Sequence, residues 1–256
     1  MNTIDVPILP RIHTMWIGSK LSKLELLTLS SFLSKGHAVT LWAYDEIKST
    51  IPSGVELQDA ERIFPKKRIR PKLLAEPELG IGKGSVGGVY SDLFRYKVLY
   101  ERGGIWSDMD VTALRAIDLS QEYIFRPHRL GAVASVLKCP KHSSFLKELY
   151  VETEAVASEL TPWMLPLEIL NKHIRNNNFE KYIVRNFSNR DRWSEVYPYI
   201  VGGRAFPSEW YAMHWMNERW RTLLSCRDSD GPVPPSKDLP PCGTALSNLY
   251  VEFNIA

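Results

Sequence analysis

The chain has 256 residues, 44% apolar and 11% aromatic, enough to bury the core of one large α/β domain. Its 32 lysines and arginines against 29 aspartates and glutamates leave a net charge of +3, too little for a nucleic-acid surface. Cys139, Cys226 and Cys242 show no paired spacing, no apolar run reaches the roughly 18 residues that span a bilayer, and MNTIDVPILPRIHTMW lacks a signal peptide's charged and apolar blocks. These features read as a reduced, cytoplasmic protein.

RIHTMWIG (11–18) reads as a short strand closing on Gly18, and KLELLTLSSFLSKG (23–36) as a helix stopping at Gly36. AVTLWAY (38–44) is a second strand, so the opening is a βαβ unit with a parallel sheet. After a polar stretch, VGGVYSDLFRYKVLYERGG (86–104) carries apolar residues at helical spacing and ends on Gly103 and Gly104. GIWSDMDV (104–111) is read as the next strand. DSDGPVPPSKDLPPCG (228–243) is a loop by composition, and 226–256 is read as a C-terminal loop or tail.

Asp108 and Asp110 are one residue apart beside Ile105, Trp106 and Val111. Like carboxylates this close call for a positive charge between them, and neutralising both should then relieve repulsion in the empty site. In an extended segment, residues i and i+2 face one side, and open parallel sheets bind ligands at the carboxyl ends of their strands. Both groups could therefore reach one hard divalent cation completed by water and phosphate oxygens. The spacing alone is weak, since DSD recurs at 228–230 in a Gly/Pro setting that reads as solvated. Asp92 and Arg95, three apart, share a helix face. They form either a surface ion pair or a clamp for a sugar hydroxyl or phosphate oxygen.

SDLFRYKVLYERGGIWSDMDV resembles the sugar-binding block of glycosyltransferase family 32: Asp-Leu-x-Arg-Tyr, Leu-Tyr-x-x-Gly-Gly, then an aromatic and Asp-x-Asp. It is similar to the family's yeast Golgi mannosyltransferases and, more remotely, to the clostridial glucosylating toxins. LPRIHTMWIG resembles the family's first strand, and YAMHWMNERW (211–220) its late His…Trp segment. The resemblance implies a GT-A type nucleotide-sugar-binding α/β fold over 1–225, with a mixed, mostly parallel sheet flanked by helices. It further implies a hexosyltransferase that moves a sugar, with retention, from a UDP- or GDP-linked donor to a saccharide or lipid-linked saccharide, as in bacterial surface-polysaccharide synthesis.

By the same resemblance, Asp108 and Asp110 hold Mn²⁺ (or Mg²⁺) against the donor diphosphate, with Asn217 as a further metal ligand. Asp92 and Arg95 bind the donor sugar, Trp16 stacks on the base, His214 lies near the diphosphate and Trp220 closes the site. Asp92, Arg95, Asp108 and Asp110 are the catalytic set. NERW departs from the family's Asn-Gly-Ser-Trp, so Arg219 would supply charge in place of a glycine turn. Glu168 reads as an acceptor-side carboxylate or a solvated helix face. KKRIRPK (66–72) is a solvated loop or a peripheral contact with anionic lipid at the inner face of the membrane. The rival reading, a metal-dependent phosphoryl-transfer or nucleotide-sugar-hydrolysing enzyme, would want more acidic ligands or a phosphate loop. GIGKGSVGG (80–88) lacks the P-loop spacing.

Overall fold

The computed structural model describes residues 8–69, 88–158, 161–222 and 234–255. Strand β1 (Ile12–Trp16), helix α1 (Lys23–Ser34) and strand β2 (Val39–Ala43) form the expected parallel βαβ unit, with Ile12 opposite Val39 and Trp16 opposite Ala43. Ser22 starts α1 by donating its backbone N–H to Glu25 Oε2 at 2.7 Å. Strand β3 (Val55–Asp59), in the stretch read only as polar, adds to the outer edge of β2.

Helix α2 (Gly88–Arg102) ends at Gly103 and Gly104, both with φ in the left-handed region, 71° and 83°. At Gly104 a side chain has no room, because a Cβ would lie 2.6 Å from the carbonyl of Arg11. That close approach lets strand β4 (Ile105–Ser107) pair in parallel with β1.

The expected strand over 104–111 breaks in two. After β4 the chain turns through Asp108–Asp110 and enters strand β5 (Val111–Ala113), which belongs to a separate two-stranded sheet. Met109 still points into the core, at 6% exposure, so alternation puts the two aspartates on the other side without a continuous strand.

Strands β6 (Ile124–His128) and β7 (Gly131–Lys138) complete the main sheet, in the order β3-β2-β1-β4-β7-β6. Only β7 runs against the rest. The sheet is thus mixed and mostly parallel, as expected, with helices on its faces. Helices α3 (Ser144–Val156) and α4 (Met164–Asn176) follow. α2 packs on it through Phe94, which meets Trp42 and Trp106 edge-on or tilted. Each such buried aromatic contributes about 1.5–3 kcal/mol.

Helix α5 (Trp193–Val201), strand β8 (Ala212–His214) and the short helix α6 (Glu218–Thr222) lead to helix α7 (Ala245–Glu252). That helix lies within the stretch expected to be loop or tail. Thr244 Oγ1 caps it, and Leu246, Leu249 and Tyr250 pack in one cluster with Leu24 and Leu27 of α1 and Val196 of α5. Residues 80–87, 228–230 and 70–72 lie outside the described residues, and with them most of the glycine-rich stretch, the second DSD and the end of the basic segment. No helix among the described residues is long and apolar enough to cross a membrane.

Candidate active site

The two sheets meet where β4 becomes β5, and their registers assemble the site. β5 pairs antiparallel with β8 so that Val111 faces His214. This sets His214 beside Asp110, with Nε2 to Oδ2 at 3.4 Å. Trp215 locks the crossing by donating N–H to Asp110 O at 2.9 Å and Nε1–H to Thr112 Oγ1 at 2.8 Å. Met216 then takes φ 56°, and the turn aims the Asn217 N–H at Asp110 Oδ2, 2.8 Å away. Met216 thus holds a left-handed conformation that non-glycine residues seldom adopt.

On the other side, α2 presents Asp92 and Arg95 together. Arg95 is 7% exposed and bridges two carboxylates, Asp92 Oδ1 at 3.3 Å and Asp108 Oδ1 at 3.2 Å. Its guanidinium lies 5.3 Å from the Trp106 ring centre, and Trp106 Nε1–H donates to Asp108 Oδ1 at 2.7 Å. At this burial the pair is no surface ion pair.

The positive charge that the aspartates require is therefore supplied by the protein, which corrects the expectation of simple repulsion. Burial raises the Asp108 carboxyl above its ordinary value, and Arg95 opposes the rise. Burial likewise pushes Asp92 up to about 6, again against Arg95. Burial works against the charge on Asp110 too, but His214 and the Asn217 N–H hold it down at about 2. His214 would lose its proton on burial alone; Asp110 and Asp191 keep it, pushing the ring up to about 10.

Asp191, Arg126 and Asn189, which sequence reading did not single out, surround His214. Arg126 is fully buried on β6 and donates to Asp191 twice, at 2.9 and 2.7 Å, and to Ser188 Oγ, Ser135 Oγ and the Asn189 carbonyl. Asp191 Oδ1 is 2.7 Å from His214 Nδ1, and His214 and Arg126 hold its carboxyl far below the usual range despite burial. Asn189 grips the His214 backbone on both sides, accepting N–H at 2.8 Å and donating to the carbonyl at 2.9 Å. Their signal was a charged residue inside the apolar run YIFRPH and the polar cluster SNRD at 188–191.

The aspartates, Arg95 and His214 line one cleft of about 990 Å³, with Arg126 and Asn189 buried behind it. Trp16, Asp92, Arg95, Asp108, Asp110, His214, Asn217 and Arg219 all face it. The side chain of Asn217 is committed elsewhere, donating to Glu25 Oε1 at 2.8 Å and accepting from Lys237 Nζ at 3.0 Å. Trp220 is not among the lining residues. It packs edge-on behind Trp193, which lines the cleft, with ring centres 5.7 Å apart. Glu168 is exposed and away from the cleft. In the basic segment, Lys66 pairs with Asp45 and Arg68 with Glu154, so two of its described cations are engaged within the protein.

Among the described residues, no group of three or more His, Cys, Asp or Glu side chains forms a metal cage. The chemistry still fits a divalent cation. Hydrogen bonds and ion pairs occupy Asp108 Oδ1 and Asp110 Oδ2, leaving Asp108 Oδ2 and Asp110 Oδ1 with no such partner among the described residues. Around the pair, four carboxylates stand against two guanidiniums and one imidazolium, while Arg129, Arg192 and Arg219 also line the cleft. One or two carboxylates with water and phosphate oxygens are the usual ligands of Mg²⁺ or Mn²⁺.

Residues 85–126 match the family model described as glycosyltransferase sugar-binding region containing DXD motif. The matched segment contains the Asp-x-Asp at Asp108–Asp110. No curated protein matches it. Among solved structures, it is similar to one titled PaToxG Glycosyltransferase (13% identity, 67% of this chain and 69% of that one, TM-score 0.49). A second, the UDP-bound glycosyltransferase domain from the YGT toxin, is 10% identical over 85% and 76% of the two chains, with TM-score 0.39. A third, a mutant transferase, is 10% identical over 68% and 86%, with TM-score 0.40.

Proposed function

We propose that this chain is a metal-dependent, retaining glycosyltransferase of the GT-A type, similar to family 32. It moves a hexose from a UDP- or GDP-linked donor to a saccharide or lipid-linked saccharide, in the setting of bacterial surface-polysaccharide synthesis, at or near the cytoplasmic face of a membrane. The observation that carries this reading is the Asp108–Asp110 turn, with one open oxygen on each carboxylate, inside the matched segment and beside the Asp92–Arg95 pair.

When bound, Mn²⁺ or Mg²⁺ would be held by Asp108 and Asp110 and would neutralise the leaving diphosphate. Asn217 contributes its N–H to Asp110 rather than its side chain to the metal. Arg95 is fixed by two carboxylates, so its remaining N–H groups meet donor oxygens without reorganising. Asp92, raised to about 6, can accept from or donate to a sugar hydroxyl near neutral pH. Asp110 and Asp191 hold His214 protonated against burial and the nearby Arg126, placing a cation beside the phosphates. The resemblance to family 32 supports front-face attack by the acceptor over the two-carboxylate route of retaining glycosidases.

Incubating the protein with UDP- and GDP-sugars plus Mn²⁺ tests the reading. Slow, metal-dependent release of free sugar and nucleoside diphosphate is expected. Cleavage of phosphodiesters or nucleotides lacking a sugar would favour the phosphoryl-transfer reading instead.

A further inference from the structure

Trp163 is 62% exposed, unusual for a side chain with so much apolar surface. Among the large apolar side chains that the described residues leave exposed, it alone lines the carboxylate cleft. It immediately precedes α4, and Pro166, Leu167 and Leu170 of that helix continue its wall inward.

The wall is anchored. Asn171 of α4 accepts from Ala132 N–H at 2.8 Å and donates to the Ala132 carbonyl at 2.9 Å, fixing the helix to β7. At Gly131 a Cβ would lie 2.2 Å from Asn171 Oδ1, so only glycine permits the contact. In the sheet, β7 is two strands from β1, about 10 Å, with β4 between them. Trp16 ends β1 on one side of the carboxylates. Trp163 leads into the helix that packs on β7, on the other.

We infer that Trp163 is the acceptor platform, on which a pyranose ring of a saccharide acceptor stacks across the carboxylates from the nucleotide. The inference rests on the glycosyltransferase reading above. One face of a pyranose ring presents C–H groups of weakly positive charge, the complement of the negative face of an indole. Its hydroxyls point outward, toward polar groups such as His128 and Arg129 on the cleft wall. A lipid tail or apolar peptide would instead want a continuous apolar lining, whereas the floor holds Asp92, Asp108, Asp110 and Asp191.

Fluorine NMR of protein labelled with 5-fluorotryptophan tests this, with the Trp163 signal assigned by its loss in Trp163→Phe. With Mn²⁺ and UDP or GDP present, methyl glycosides of the common hexoses are titrated in turn. At least one should shift the Trp163 signal saturably, and Trp163→Ala should weaken that glycoside at least tenfold by saturation-transfer NMR, with Trp163→Tyr recovering most of the loss. No response from any glycoside, equal binding by Trp163→Ala, or a response to phosphatidylglycerol vesicles alone would overturn the inference. Nucleotide-induced movement of the Trp16 signal separates the two readings. If it moves and Trp163 fails, the platform alone is wrong; if neither responds, the glycosyltransferase reading falls as well.

Discussion

His214 Nε2 stands 3.4 Å from Asp110 Oδ2 while Nδ1 stands 2.7 Å from Asp191 Oδ1, so one protonated ring ties the Asp-x-Asp turn to a carboxylate 81 positions further along. His214→Ala leaves Asp110 without its cation and Asp191 with Arg126 alone. Breaking such a buried pair should cost about 2–4 kcal/mol in urea denaturation. Mn²⁺ should restore part of the loss by replacing the cation at Asp110. An unchanged midpoint would mean that the ring contributes nothing to the folded state. Because the His214 pKa is raised, its contribution is complete below pH 6.5 and is lost as pH climbs through about 10.

His13 has the opposite sign. It is buried and accepts from Trp42 Nε1 at 3.3 Å, and burial first, then Arg11 and Arg102, lower it to about 4. Between pH 6.5 and 4 the unfolded chain takes up a proton that the folded chain refuses. Stability should fall by up to about 3 kcal/mol across that window as pH drops. His13→Gln should flatten that limb, and parallel profiles for variant and wild type would disprove the assignment.

Gly104→Ala should destabilise by about 2–4 kcal/mol, because φ 83° and the 2.6 Å approach to the Arg11 carbonyl both forbid a side chain. Gly88→Ala is the control for backbone strain alone, since its φ of 33° is also left-handed but nothing lies within 4 Å. Similar thermal midpoints for the two variants would argue against the close β1–β4 contact.

Trp16→Ala should weaken nucleotide binding by about 1–3 kcal/mol, the scale of base–aromatic stacking. Trp16 is half-buried, donates Nε1–H to the Lys20 carbonyl at 3.0 Å and lines the cleft. Calorimetry with UDP and GDP measures the change, and unaltered affinity in a folded variant would make Trp16 a packing residue only.

Local periodicity made much of the first half of the fold legible. β1, α1, β2 and α2 follow from apolar spacing, and Gly103–Gly104 from helix-stop chemistry. The turn at 108–110 was hidden because Trp106, Met109 and Val111 are all apolar and the stretch reads like strand. α7 was masked by the prolines before it, although Thr244 and the spacing of Leu246, Leu249 and Tyr250 were readable signals. Arg95 and His214 were named from the sequence, but the groups behind His214 were the hardest to see. Arg126, Asp191 and His214 meet through strand register and long-range pairing, which no local pattern encodes.

The central claim is that Asp108 and Asp110 jointly hold a metal–nucleotide donor, and thermal unfolding of wild type and Asp108→Asn/Asp110→Asn with Mn²⁺ plus UDP- or GDP-sugar tests it most directly. Wild type should be stabilised by metal and donor together, by about 2.7 kcal/mol when free donor is 100 times its Kd. The double variant should be folded but less stable without ligand, since Arg95 and His214 each lose a partner, and should gain nothing from metal plus donor. Equal stabilisation of variant and wild type, or none of wild type by any donor in the panel, would contradict the account.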